Sequence, residues 1–174
     1  MAGDITAKYG TLNTFVVTNL HSLASSSSRE AGWTSASVAN TSTLALDYII
    51  SGTFATHASN RQAGYIDVRL YTALNATPTW PDIFSTGTEG TEGAATWHDT
   101  EQMNSGSVLL RSIEVDSSAS DVMTFPQTGI AQLFGQMPTH FALFVGQNAS
   151  TTTTAGLASS GSALYGIPVL SSYT

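Results

Sequence analysis

The stretch 63–74, AGYIDVRLYTAL, constrains the fold more than any other part of the chain. Ile66, Val68, Leu70, Thr72 and Leu74 recur at every second position, with Tyr65, Asp67, Arg69, Tyr71 and Ala73 between them. A strand turns successive side chains to opposite faces, so these two sets line the two sides of one strand. Wound into a helix they would scatter around it. The first face suits a core. The second carries an Asp, an Arg and two Tyr that want water or a partner surface. The pattern predicts a sandwich strand and specifies no chemistry.

At 174 residues the chain fits one domain and can bury a core of useful size. Only 10% of residues are charged, against a usual quarter, while Ser and Thr together make 48 of 174. The surface must therefore be largely hydroxyl and amide. Thr suits strands and Ser suits turns, so composition also points to an all-β protein. The net charge is −7 and Lys8 is the one lysine. Phosphate backbones are held by clustered Lys and Arg, so nucleic acid is not an expected partner. An anionic membrane surface is not expected either, and no segment approaches the eighteen apolar residues of a membrane span. The start, MAGDITAKYG, lacks the basic and apolar regions of a signal peptide, and there is no cysteine for a disulfide or a thiolate.

Along the chain, residues 1–13 are polar and aperiodic. They read either as a frayed terminus or as an arm that orders on a neighbouring subunit. The remainder, 14–174, reads as one β-sandwich domain. Strands are predicted at 14–20, 43–54, 63–74, 108–116, 139–147 and 163–169, with Leu46, Tyr48, Val68, Leu70 and Leu143 buried. The neighbouring strands 43–54 and 63–74 are expected to pair with each other. Pro126 is expected to stop a short strand at 122–125, and Pro168 to mark an edge strand. Residues 129–135, GIAQLFG, read as one helical turn between glycines. In 140–147, HFALFVGQ, both faces are apolar, as in a central strand covered on both sides. Residues 75–107 form a long irregular insertion, and such loops tend to be functional or disordered. The expected architecture is a single antiparallel two-sheet β-sandwich of the jelly-roll kind with long loops, with an immunoglobulin-like sandwich second.

No constellation of residues names a reaction. His98, Asp99 and Glu101, with Glu89 and Glu92 nearby, are the best candidates for a metal, but zinc-like His spacing and calcium-loop density are both missing. A solvated acidic loop is the plainer reading. There is no Gly-x-Ser-x-Gly elbow, and the twelve acids offer no preferred pair for glycoside hydrolysis. Neither a catalytic centre nor a required metal or other cofactor is expected. Tyr65, Tyr71, Trp80 or Trp97 on an exposed face would suit a carbohydrate-binding module. Trp33 reads either as a core cap or as an interface residue.

Several segments, in this order, resemble a family of small virion structural proteins of tailed bacteriophages, the head decoration or cement proteins. They are SREAGWTSASVANT (28–41), LALDYIISGTF (44–54), AGYIDVRLYTAL (63–74), TPTWPDIF (77–84), LFGQMP (133–138) and FALFVGQN (141–148). Together they cover about half the chain. The GTEGTEG piece (87–93) and the 150–162 loop depart most from the family's pattern. The resemblance implies a non-enzymatic β-sandwich without a cofactor, placed on the exterior of a capsid and bound to the major capsid protein. The alternative is a carbohydrate- or receptor-binding module of a phage tail or fibre. Sparse charge and long loops add the expectation of a homodimer or homotrimer. Its contacts are expected at residues 1–13 and 77–84, with Trp80, Ile83 and Phe84 as apolar anchors, alongside Trp33.

Overall fold

The structure, a computed structural model, describes residues 5–59, 61–73, 75–117, 121–150 and 156–173. Two antiparallel sheets pack face to face. The first has the order β1 (Ile5–Tyr9), β12 (Ala163–Tyr173), β5 (Asp47–Ala55), β10 (Val122–Gly129), and β2 (Asn13–Thr14) also pairs with β12. The second has the order β7 (Phe84–Thr86), β8 (Gly93–Trp97), β3 (Ala31–Thr34), β11 (His140–Gln147), β6 (Gly64–Thr72), β9 (Val108–Val115), and β4 (Val38–Ala39) joins β11. Two short helices, α1 (Thr100–Gly106) and α2 (Ala131–Phe134), complete the described elements. The all-β two-sheet sandwich expected from the sequence is what is found.

The strands form where the alternation is strongest. β6 sends Ile66, Val68 and Leu70 fully inward, and β5 sends Tyr48, Ile50 and Phe54 to meet them. Phe141, Leu143 and Val145 of β11 join this core while Ala142 and Phe144 are buried on its other face, so β11 is covered on both sides. The turn expected at 129–135 is α2, ending at Gly135 in the left-handed region (φ 72°).

Several expectations fail for local physical reasons. β5 and β6 do not pair: they lie in different sheets, and from β4 onward the chain changes sheet at most connections, as jelly rolls do. The first predicted strand, 14–20, shrinks to Asn13–Thr14, and residues after Phe15 turn away. Leu46 is 55% exposed because β5 begins one residue later, after a turn in which Leu44 takes a positive φ of 48°. Pro126 does not stop β10. It sits where the register shifts between Phe125 and Thr128, on the edge strand of its sheet, where a missing donor is tolerated. Pro168 is not on an edge. Its carbonyl accepts from Gly10 N at 2.8 Å, so its nitrogen faces the gap between β1 and β2, where the ladder is already interrupted. Leu74 and residues 1–4, 118–120 and 151–155 of the segments read above lie outside the described residues.

Residues 5–9 are not a free arm. They form β1, paired in register from Ile5↔Tyr173 to Tyr9↔Val169. The 75–107 insertion is also ordered: β7 and β8 extend the second sheet beyond β3, and Trp80, Ile83 and α1 pack on that sheet's outer face. That face carries the mixed side of β6, and so Asp67, Arg69 and Tyr71 are 3%, 7% and 1% exposed rather than solvated.

Candidate functional site

The cover over the second sheet accounts for most of the residues expected to touch partners. Trp33 is fully buried in the main core. Ile83 and Phe84, each 5% exposed, belong to a second core with Tyr71, Trp97, Met103 and Phe144. Ile83 and Phe84 therefore anchor the chain's own insertion, and all three side chains are buried within the chain itself. Trp80 packs half-buried at the rim of the same cluster. The rings meet edge to face, Phe84–Trp97 at 4.9 Å and Tyr71–Trp80 at 5.3 Å between centroids. Each such contact adds about 0.5–1.5 kcal/mol beyond burial.

The repeated Thr-Glu-Gly triplets fasten this cover. Glu89 accepts from the backbone N–H groups of Ile83 and Phe84, both at 3.2 Å. Gly90, at φ 70°, lies against the Trp80 ring and donates its N–H to the Tyr71 hydroxyl at 2.9 Å. Glu92 accepts from the Trp33 indole and from Asn19. The signal was present in the sequence as a carboxylate recurring at a three-residue interval beside glycines. What it would bind lay in segments too distant in sequence to be inferred.

The metal candidates do not converge. Asp99 caps α1 by accepting from Gln102 N at 2.6 Å, His98 faces Asp82 at 3.4 Å, and Glu89 and Glu92 are engaged as above. Among the described residues no group of three or more His, Cys, Asp or Glu is placed to hold an ion.

The first sheet differs. Its outer face has no cover among the described elements. The register places Tyr9, Val169 and Asp47 in one row across that face, Ile167 and Ile49 in the next, and Thr14, Tyr165 and Ser51 in a third. Ile5 and Ala7 extend it along β1, Thr53 along β5, and Val122 and Thr124 along β10. Ile5, Tyr9 and Val122 are 72%, 71% and 61% exposed, and Ile49, Ile167 and Tyr165 are half-buried. The one charged side chain in these rows, Asp47, accepts from the N–H groups of Tyr48 and Ala131. An outward sheet face is ordinarily polar. This one is aliphatic, aromatic and hydroxyl-bearing, without a free charge in its central rows. A shallow groove of about 420 Å³ lies on it, bounded by Ser51, Thr53, Pro126, Gln127 and Tyr165.

Comparison with protein-family models, with curated proteins and with solved structures finds no match for this chain.

Proposed function

We propose that the chain is a non-enzymatic virion structural protein that decorates a bacteriophage head, bound to the outer surface of the major capsid protein shell as a homo-oligomer. The observation that carries this reading is the uncovered, nearly uncharged outer face of the first sheet, on a molecule whose other sheet is closed by its own insertion. Exposed apolar surface rimmed by polar groups marks interaction sites. A face without free ions is docked with little desolvation cost. On a shell one modest contact is repeated many times, so the array holds firmly though each contact is weak. The resemblance of the segments quoted above supplies the identity of the partner.

The test is co-sedimentation of the purified chain with particles stripped of it. The expected result is binding by the parent and at least tenfold weaker binding by Ile167→Lys, which sets a charge in the middle of the face and leaves the inner face untouched. Equal binding by both overturns the docking face. No binding by the parent overturns the decoration reading.

One observation favours the second reading, a glycan- or receptor-binding module of a tail or fibre. The groove beside Tyr165 combines an aromatic ring with the hydroxyls of Ser51, Thr53 and Thr124 and the amide of Gln127. Sugars are bound by such combinations of stacking and hydrogen bonding. Retention of the isolated chain on a defined glycan, lost in Tyr165→Ala, would select it.

A further inference from the structure

We infer that β1 is a dimerisation strand: two copies of the chain pair β1 against β1, antiparallel, about a two-fold axis at Ala7. All five residues of β1 are exposed, and among the described residues no strand lies on its far side. Gly10 donates to Pro168 on β12. Backbone groups alternate in direction along a strand, so Thr6, Lys8 and Gly10 face β12, while the N–H and C=O of Ile5, Ala7 and Tyr9 face outward. An unpaired row of this kind is a template for another strand.

The occupant is argued from self-complementarity. With the axis at Ala7, Ala7 pairs with Ala7 of the second copy, and Ile5 of each copy pairs with Tyr9 of the other. Every outward backbone group of β1 then gains a reciprocal bond. Ile5 and Tyr9, the two most exposed large apolar side chains among the described residues, cover one another on the outer face. Lys8 falls opposite Thr6. Moving the axis to Lys8 would set the two lysines opposite each other, and moving it to Thr6 would leave Tyr9 of each copy without a partner in the other's β1. An isologous two-fold contact requires a strand that complements itself, and the Ala7 register alone pairs all five residues of β1 with the five of the second copy. The product is one continuous sheet in which the uncovered faces of two copies adjoin, doubling the docking surface.

This deepens the self-association within the proposed function and rests on it, but it is tested without particles. Sedimentation equilibrium of the isolated chain should show a dimer with a dissociation constant on the order of 1–100 µM. Hydrogen exchange in the dimer should protect the amides of Ile5, Ala7 and Tyr9 as well as those of Thr6, Lys8 and Gly10. Ala7→Pro removes an outward N–H that makes no bond within the chain. It should raise the dissociation constant at least tenfold at unchanged thermal midpoint. Should that variant unfold, Ala7→Lys sets two ammonium groups across the axis from an exposed position and should act alike. A parent that stays monomeric to about 1 mM overturns the inference. So does a dimer that survives both variants, or one whose Ile5, Ala7 and Tyr9 amides exchange freely. Protection of those amides only when particles are added to a monomeric chain would assign the strand to the shell protein instead, and the shell-binding reading would stand without this one.

Discussion

Trp33 donates its indole N–H to the Glu92 carboxylate at 2.8 Å, across 59 positions of sequence. The same carboxylate accepts from Asn19 N at 3.0 Å and Asn19 Nδ2 at 2.7 Å. One side chain thus ties the loop before β3, β3 itself and the insertion. Burial pushes the Glu92 carboxyl up, but the three donors together outweigh it and hold it below the usual carboxylate range. A group with a depressed folded pKa adds stability above its unfolded value and loses it as pH falls through the folded one. Glu92→Ala is expected to cost about 2–3 kcal/mol at neutral pH, since it strands a buried indole donor. Denaturant midpoints measured from neutral pH downward should fall less steeply below about pH 4.5 in the variant than in the parent.

Gly90 is expected to tolerate no side chain. Its φ of 70° strains any L residue, and a Cβ there would lie 2.6 Å from Trp80 Cζ2. Gly90→Ala should cost more than about 1 kcal/mol and turn Trp80 outward. A red shift of tryptophan emission with a lowered thermal midpoint is the expected signature. An unshifted spectrum would mean that the ring does not rest on this glycine.

Burial pushes the Tyr71 hydroxyl up to about 12, against the hydrogen bonds from Gly90 and Thr34, which act in the opposite direction. The neutral phenol is favoured in the folded state. Its stabilisation is therefore complete below pH 10 and is lost as pH rises from there towards 12. The parent should unfold over that alkaline window, with tyrosinate appearing late. Burial raises Tyr48 as well, so the variant assigns the step. Tyr71→Phe should lack the latest titration while losing about 1–2 kcal/mol at neutral pH, because Gly90 N–H and Thr34 lose their partner.

What was legible in the sequence was local. Ile66, Val68 and Leu70 alternate, and they face the core; Phe141 to Val145 is apolar on both faces, and both are covered. Sheet membership was not legible, because the period of β5 and of β6 is the same whether they pair or face each other across the core. The mixed face of β6 was misread for a related reason. Asp67 is satisfied by Arg29 Nε at 2.7 Å and Ser112 Oγ at 2.6 Å, partners 38 and 45 positions away. A charge that finds such partners can be buried, and its type alone does not reveal that it will. The aromatic anchors failed likewise: Ile83 and Phe84 are apolar enough for an interface and equally apt for the chain's own second core. The uncovered face was not legible because its residues are scattered over β1, β5, β10 and β12, and only the register unites them.

Arg69 supplies the last expectation. It rises from β6 beneath α1, where Nη1 donates to Met103 O at 3.3 Å and Ser107 Oγ at 3.2 Å and Nη2 donates to Asn104 Oδ1 at 3.0 Å. The helix has no basic residue in its own last turn, so the sheet provides the cation that its C-terminal end favours. Burial lowers the Arg69 pKa and the Asp67 carboxylate beside it works the other way, so the guanidinium is held by its surroundings on both sides. Lys is a poor substitute, because a single ammonium cannot span three acceptors with the planar fork's geometry. Arg69→Lys should lose about 1–2 kcal/mol. Arg69→Met should free α1 while the two sheets stay folded, as the stem's packing is kept and only the polar grip is lost. Hydrogen exchange reads this directly. The α1 amides from Met103 to Gly106 should lose protection at least tenfold in Arg69→Met, while those of β6 and β11 keep theirs. Unchanged protection in α1 would mean that Met103, 3% exposed in the second core, holds the helix by packing alone.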